Sequence, residues 1–428
     1  MKNKYLVSIV IFFVQVAILP ISGYGEDVLS WKACIEEAKT NNPELISAVS
    51  GVDEKKADKS ITVSAFYPQI TSSLASSRTK TTTSSTGTTA TKDAYSYGLS
   101  ASQLVFDGLK TLNDTYAAKE NIKASQESYR YVSSNVRLNL LTAFVNLLKA
   151  QENIKVAEEI FKIRRDNLIL ISLRYKSGLE HKGALMTAEA NLAQADFELA
   201  QAKRNIEFTQ RQLTKELGRK EFKPITVSGD FVVADSAKNK PNFEELVNKN
   251  PSYLQAVAKK NSTSFGIKSS YSTFVPELNG SAGTSKTGSD WTPRDKQWNA
   301  GLSLSWPIFE GGLRVAQVSR AQALYNQAVA NEKNTKNTVL VDLEETWVDL
   351  QDALGNVDVQ KKSLSANEER SKIAGAQYST GFITFDNWII IENDLVNAKK
   401  SYLNASAQAL LAEANWIQAK GETLEYAL

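Results

Sequence analysis

The sequence predicts an α+β chain built twice over: long antiparallel helices with coiled-coil character, interrupted by two β-hairpins that give four strands. Three observations predict this. The first is an internal repeat. Asn42-Pro43 and Phe66-Tyr67-Pro68 recur 208 residues later as Asn250-Pro251 and Phe274-Val275-Pro276. Val105-Phe106-Asp107-Gly108, Tyr175-Lys176-Ser177-Gly178 and Leu217-Gly218 recur 203 residues later as Ile308-Phe309-Glu310-Gly311, Tyr378-Ser379-Thr380-Gly381 and Lys420-Gly421. The second is that the offset changes once, between Pro68 and Phe106, where both copies read as a hairpin. The third is the length of the proline-free segments on either side: none of the nine prolines lies between residues 69 and 223.

In chain order, the first 25 residues read as a secretory signal. Lys2 and Lys4 precede an apolar run from Leu6 to Leu19, then Pro20 and small residues at Gly23 and Gly25. As a membrane anchor the run falls short of the roughly 20 residues that span a bilayer. Residues 26–223 form the first repeat, 224–240 a linker, and 241–428 the second repeat. The first hairpin occupies about 66–106, with strands near 66–78 and 94–106 and a Ser/Thr-rich tip from Thr79 to Asp93. The second occupies about 274–309, with strands near 274–283 and 296–309. Tips of unequal length account for the change of offset.

The returning strands alternate. Tyr95, Tyr97, Leu99 and Ala101 share one face against Ser96, Gly98, Ser100 and Ser102; Trp298, Ala300, Leu302, Leu304 and Trp306 share one face against Asn299, Gly301, Ser303 and Ser305. A soluble sheet alternates in the same way. A membrane barrel adds two expectations that this sequence meets: a small, hydroxylated lumen face, and an apolar face bracketed by aromatics. Trp298 and Trp306 are separated by roughly 26 Å of strand, the height of a lipid-facing band. Tyr95 and Tyr97 give the first hairpin a weaker version of this girdle.

After each hairpin a long helix is expected. Residues 109–177 contain neither Gly nor Pro, and a helix from Phe106 to Tyr175 is about 100 Å long. Beyond the Gly178 turn a heptad appears: Leu185, Leu192, Leu199, Ile206 and Leu213 in one row, Ala188, Ala195, Ala202 and Thr209 in the other. The second copy carries Trp388, Leu395, Tyr402, Ala409 and Trp416, with Ile391, Ala398, Ala405 and Ala412.

Composition narrows the function. Charge is nearly balanced, 50 Lys plus Arg against 47 Asp plus Glu, so no basic excess points to nucleic acid. One cysteine, Cys34, permits no internal disulfide and reads as a buried helical residue; one histidine, His181, reads as a solvated loop residue. No Cys/His metal set, cofactor motif or catalytic constellation stands out, so no cofactor and no enzymatic activity is expected. Four strands cannot close a barrel, and a lipid-exposed sheet edge is not tolerated, so strands placed in a membrane require several chains.

The ordered double occurrence of Asn-Pro, Phe-x-Pro, hairpin, Phe-Asp/Glu-Gly, long helix and Tyr-x-x-Gly resembles the TolC-type outer membrane efflux proteins over essentially all of the chain beyond the signal. Phe309-Glu310-Gly311-Gly312 and Leu185 to Arg204 are the most family-like stretches. The resemblance implies a homotrimer with a 12-stranded transmembrane β-barrel and a periplasmic helical barrel. It implies an outer-membrane location, lipid contact, and a passive duct for efflux or type I secretion. It also implies a periplasmic adaptor and an inner-membrane transporter as partners. The turns at Gly178 and Gly381 become the periplasmic tips. Family members carry an acidic residue six positions after the tip glycine; here those positions are Ala184 and Asn387. Asp386, Asn387, Tyr378 and Glu180 are the entrance candidates; the other reading of Asp386 is an ordinary solvated helix-start residue, and that of Tyr378 a packing residue. The competing reading is a periplasmic coiled-coil adaptor or scaffold with soluble hairpins.

Overall fold

The computed structural model describes residues 27–85, 87–233 and 240–426; the expected signal, residues 1–25, lies outside the described residues. The chain forms β1 (Asp27–Ser30), α1 (Trp31–Asn41), α2 (Pro43–Ser64), β2 (Gln69–Thr82), β3 (Thr89–Phe106), α3 (Lys110–Lys176), α4 (Lys182–Leu217) and β4 (Ile225–Ser228). It continues with α5 (Phe243–Val247), α6 (Pro251–Ser272), β5 (Glu277–Gly288), β6 (Asp295–Ser305), α7 (Leu313–Ser379), α8 (Phe385–Ala419) and a 3₁₀ turn at Leu424–Tyr426. The repeat is visible in the elements: α2 and α6 are 22 residues each, and α3 and α7 are 67 residues each.

The strands run further into the hairpins than the sequence predicts. β2 reaches Thr82 and β3 begins at Thr89, so the first tip shrinks to residues 83–88. Thr79, Thr81, Thr82, Thr89 and Thr91 favour the pleated backbone, and cross-strand pairing carries them: Thr82 and Thr89 hydroxyls lie 3.1 Å apart. The linker region also gains structure. Its β4 pairs in parallel with β1, and the Gln151 side chain bonds both the N–H and the carbonyl of Val227 at 2.9 Å. Residues 234–239 of the linker lie outside the described residues.

The repeated Asn-Pro and Gly pairs meet in space. Proline at the first helical position suits α2 and α6, because that N–H has no helical partner in any case. The asparagine before each proline works in two directions. Asn42 Oδ1 caps Glu44 N, while Asn42 Nδ2 donates to Glu216 O at the end of α4, both at 2.9 Å. Asn250 does the same between Ser252 N and Ala419 O, again both at 2.9 Å. So α4 stacks end to end on α2, and α8 on α6, each composite running antiparallel to a 67-residue helix. At Gly218 (φ +75°) an added Cβ would sit 2.2 Å from Asn41 O, so the close approach and the left-handed backbone both demand glycine.

The wall has four columns. α3 packs against α2 and α4 on one flank and α6 and α8 on the other; α7 lies against α6 and α8. The sheet has the same order, β2-β3-β5-β6, because each strand continues into one column. Buried residues concentrate at the joints, around Cys34, Leu140, Phe144, Leu217 and Ile225 in one repeat and Trp347, Leu350 and Trp416 in the other. Cys34 is fully buried, which pushes its thiol pKa up to about 12 and leaves it an inert packing residue.

Candidate functional site

Two ends of this wall carry the candidate residues. At the tip remote from the sheet, α3 and α7 each end in a glycine with positive φ, Gly178 (+72°) and Gly381 (+84°). The chain bonds back over each: Leu179 N donates to Arg174 O and Phe382 N to Gln377 O, both 2.8 Å. The returning helices are capped at repeat-equivalent positions. His181 Nδ1 accepts from Ala184 N at 3.1 Å, and Thr384 Oγ1 accepts from Asn387 N at 3.4 Å. His181 is thus an exposed helix cap rather than a free loop residue.

The structure joins two of the four entrance candidates. Tyr378 is 1% exposed and stacks on Trp388, ring centroids 4.3 Å apart and 8° from parallel. Its hydroxyl donates to Glu180 Oε2 at 2.7 Å, linking the second repeat's tip to the first. The Arg174 guanidinium lies 4.7 Å from the Tyr378 ring centre, and Arg174 Nη1 donates to Tyr378 O at 3.3 Å. Burial, and then the Glu180 carboxylate, push the Tyr378 pKa well up, so the phenol stays a proton donor. Asp386 and Asn387 stand apart from this pair, exposed on the first turn of α8. Asp386 there sits at a helix N-terminus, where negative charge is favoured.

Sequence reasoning missed Arg174, Trp388 and Phe385 as parts of this cluster. It also missed a second polar layer above it, where Ser371 Oγ donates to Glu392 Oε1 at 2.5 Å and Arg164 Nη2 to Asn393 Oδ1 at 2.6 Å. The available signal was helical spacing: Arg174 lies four residues before Gly178, on the last turn of α3.

At the opposite end, register settles which residues share a face. Tyr97 faces Leu74 and Lys286, Leu99 faces Ser72 and Thr284, and Thr284 faces Trp298. Ala101 faces Ile70 and Ala282, and Ala282 faces Ala300. Opposed residues of an antiparallel pair point the same way. The apolar faces of both hairpins therefore form one continuous surface, with Trp298 78% exposed on it and Trp306, 59% exposed, past its end. The other surface holds Ser73, Gly98, Ser100, Ser281, Gly283, Asn299 and Ser303. Trp306 lies just beyond β6, where its indole N–H donates to Phe274 O at 3.2 Å. Tyr95 and Tyr97 gain a partner that the sequence did not suggest. Trp291, from the second hairpin's turn, packs edge-on to both rings at 5.5 and 6.1 Å, and its carbonyl accepts from Tyr97 Oη. Among the described residues, no helix is long and apolar enough to cross a membrane.

Comparison with known proteins agrees with this geometry. The sequence model for "Outer membrane efflux protein" matches residues 34–219 and 243–422, one span in each repeat. The chain is 21% identical over 411 residues to the outer membrane efflux protein BepC of Brucella suis, covering 92% of this chain and 87% of that one. It is 24% identical over 421 residues to the outer membrane protein TolC of Escherichia coli, covering 90% and 81%. Among solved structures, the outer membrane protein VceC of Vibrio cholerae superposes with a TM-score of 0.77 at 18% identity, covering 91% of this chain and 96% of that one. The chain belongs to the outer membrane efflux protein family, as an outer-membrane channel component whose helical part stands in the periplasm.

Proposed function

We propose that three copies of this chain close into a passive export duct, with the sheets forming a 12-stranded barrel and the helical columns a periplasmic tunnel. The observation that carries this reading is that sheet and helical wall both end in open edges in the same order. Among the described residues, β2 and β6 are unpaired on their outer sides. No long helix among the described residues packs on the outer flank of α2 and α4 or of α7, which carry only the short α1 and α5. A sheet edge left open in lipid costs several kcal/mol per unsatisfied backbone group, so further copies must cover it. The apolar surface with Trp298, Trp306, Tyr95 and Tyr97 then faces lipid, and the Ser/Gly surface faces the lumen. The duct carries no catalytic step, and energy comes from an inner-membrane transporter reached through a periplasmic adaptor. The adaptor docks on the tip turns at Gly178 and Gly381. The Tyr378–Glu180 bond ties the two halves of the entrance together, and Asp386 and Asn387 line its exposed rim. The two repeats, 26–223 and 241–428, supply the two halves.

The alternative, a soluble coiled-coil adaptor, is disfavoured by the continuous apolar sheet surface with exposed Trp298 on it and exposed Trp306 just past its end. The test is the mass of the species extracted from outer membranes and its conductance in a planar bilayer. A trimer passing ions supports the duct; a water-soluble monomer overturns it.

A further inference from the structure

Towards the hairpin tips the lipid-side surface of the sheet becomes basic. Register aligns Leu74, Tyr97, Lys286 and Lys296 in one row across the four strands. The next row towards the helices ends on Trp298 opposite Thr284. The lysine row therefore lies about 7 Å beyond the tryptophan, past the apolar band and at headgroup depth. Lys286 and Lys296 are both exposed and directly opposed on one face. Like charges in that arrangement repel. Nearby carboxylates do not relieve them. Asp93 is held by a two-point pair with Arg78 at 2.6 and 2.9 Å, and Asp295 alternates to the other face. Among the described residues, neither lysine has an ion-pair partner. Trp291, folded onto Tyr95 and Tyr97, sets an aromatic cluster in the same rows.

We infer that Lys286 and Lys296, beside the Tyr95–Tyr97–Trp291 cluster, seat the phosphorylated headgroup of an outer-leaflet glycolipid. The inference rests on the outer-membrane reading, since the tips lie at the end of the sheet remote from the periplasmic helices. A phosphate between the two ammonium groups turns their repulsion into two charge-assisted contacts. The aromatic cluster packs at the boundary between headgroup and acyl chains, where such rings concentrate. The same seat recurs once per copy around a closed barrel.

Full-length protein extracted from outer membranes in non-ionic detergent is titrated with bisphosphorylated lipid A, its dephosphorylated form and inorganic phosphate, and bound lipid is read by native mass spectrometry. The phosphorylated lipid is expected to bind preferentially. The paired variant Lys286→Gln with Lys296→Gln is expected to weaken it about tenfold or more at unchanged oligomer mass. Lys286→Arg with Lys296→Arg retains it. Equal binding of both lipids, unchanged affinity in the Gln pair, or displacement by inorganic phosphate at equal concentration overturns this inference alone. Failure to extract as an outer-membrane oligomer overturns the duct reading together with it.

Discussion

Tyr378 shows how one side chain acquires a role from its surroundings. Its ring is held between Trp388 and the Arg174 guanidinium, and its hydroxyl is committed to Glu180. A phenol of raised pKa contributes its stabilisation fully below the ordinary tyrosine pKa of about 10 and loses it as pH rises through the higher folded value. The difference in phenolate absorbance between wild type and Tyr378→Phe should therefore be flat through pH 10 and appear only above it. A difference signal centred at pH 10 or lower would show that the buried donor bond to Glu180 is not formed. The carboxylate that accepts from Tyr378 comes from Glu180, two positions after the tip glycine Gly178, while Ala184 lies six positions after it. Ala184 is itself fully buried in the apolar cluster beneath the tip, where a carboxylate would be costly.

At the scale of elements, the stacked joints and the alanine seam decide the geometry of the wall. The sequence places two apolar rows on α4. Where α4 packs along α3, the alanine row, Ala188, Ala195, Ala202 and Thr209, is buried throughout, whereas Leu185, Leu192, Leu199 and Ile206 are half-buried and only Leu213 of that row, at the joint, is fully buried. Small side chains let the two backbones approach, and the larger ones flank the contact. The joint at Gly218 is equally tight. Gly218→Ala should lower unfolding stability by about 2 kcal/mol or more, combining left-handed strain with the clash at Asn41 O. Gly51→Ala, in open space within α2, should be neutral or stabilising. Chemical denaturation of the two variants side by side measures the contrast; equal effects would mean that the end-to-end contact is not made.

For the whole molecule, the question is what covers the outer flank of α4. Met186, Phe197 and Phe208 recur every 11 residues and fall in one stripe about 150° round the helix from the alanine seam. Phe197 is 55% and Phe208 59% exposed in the single chain. Burying the exposed half of each on assembly contributes about 1–1.5 kcal/mol. Phe197→Glu together with Phe208→Glu should leave helix content by circular dichroism unchanged while the oligomer falls apart in analytical ultracentrifugation. An intact oligomer in that variant would place the subunit contact elsewhere.

The sequence by itself did not show the β1–β4 pair, but it determined the doubled plan, the four strands of the two hairpins, their two-sided chemistry and the length of the two long helices. These depend on local periodicity and on proline and glycine placement, which act over a few residues and read directly from the string. It also showed that Asn-Pro and the terminal glycines recur, but not that they meet. That contact spans 174 residues between Asn42 and Glu216, and it exists only once α4 stacks on α2. The same holds for the pairing of Glu180 with Tyr378, 198 residues apart, and for Trp291 folding onto Tyr97, 194 apart. Only the tertiary structure decided these, because which side chains share a buried space depends on how whole helices and strands are laid side by side. A repeat offset fixes which positions are equivalent, and equivalent positions are not neighbouring ones.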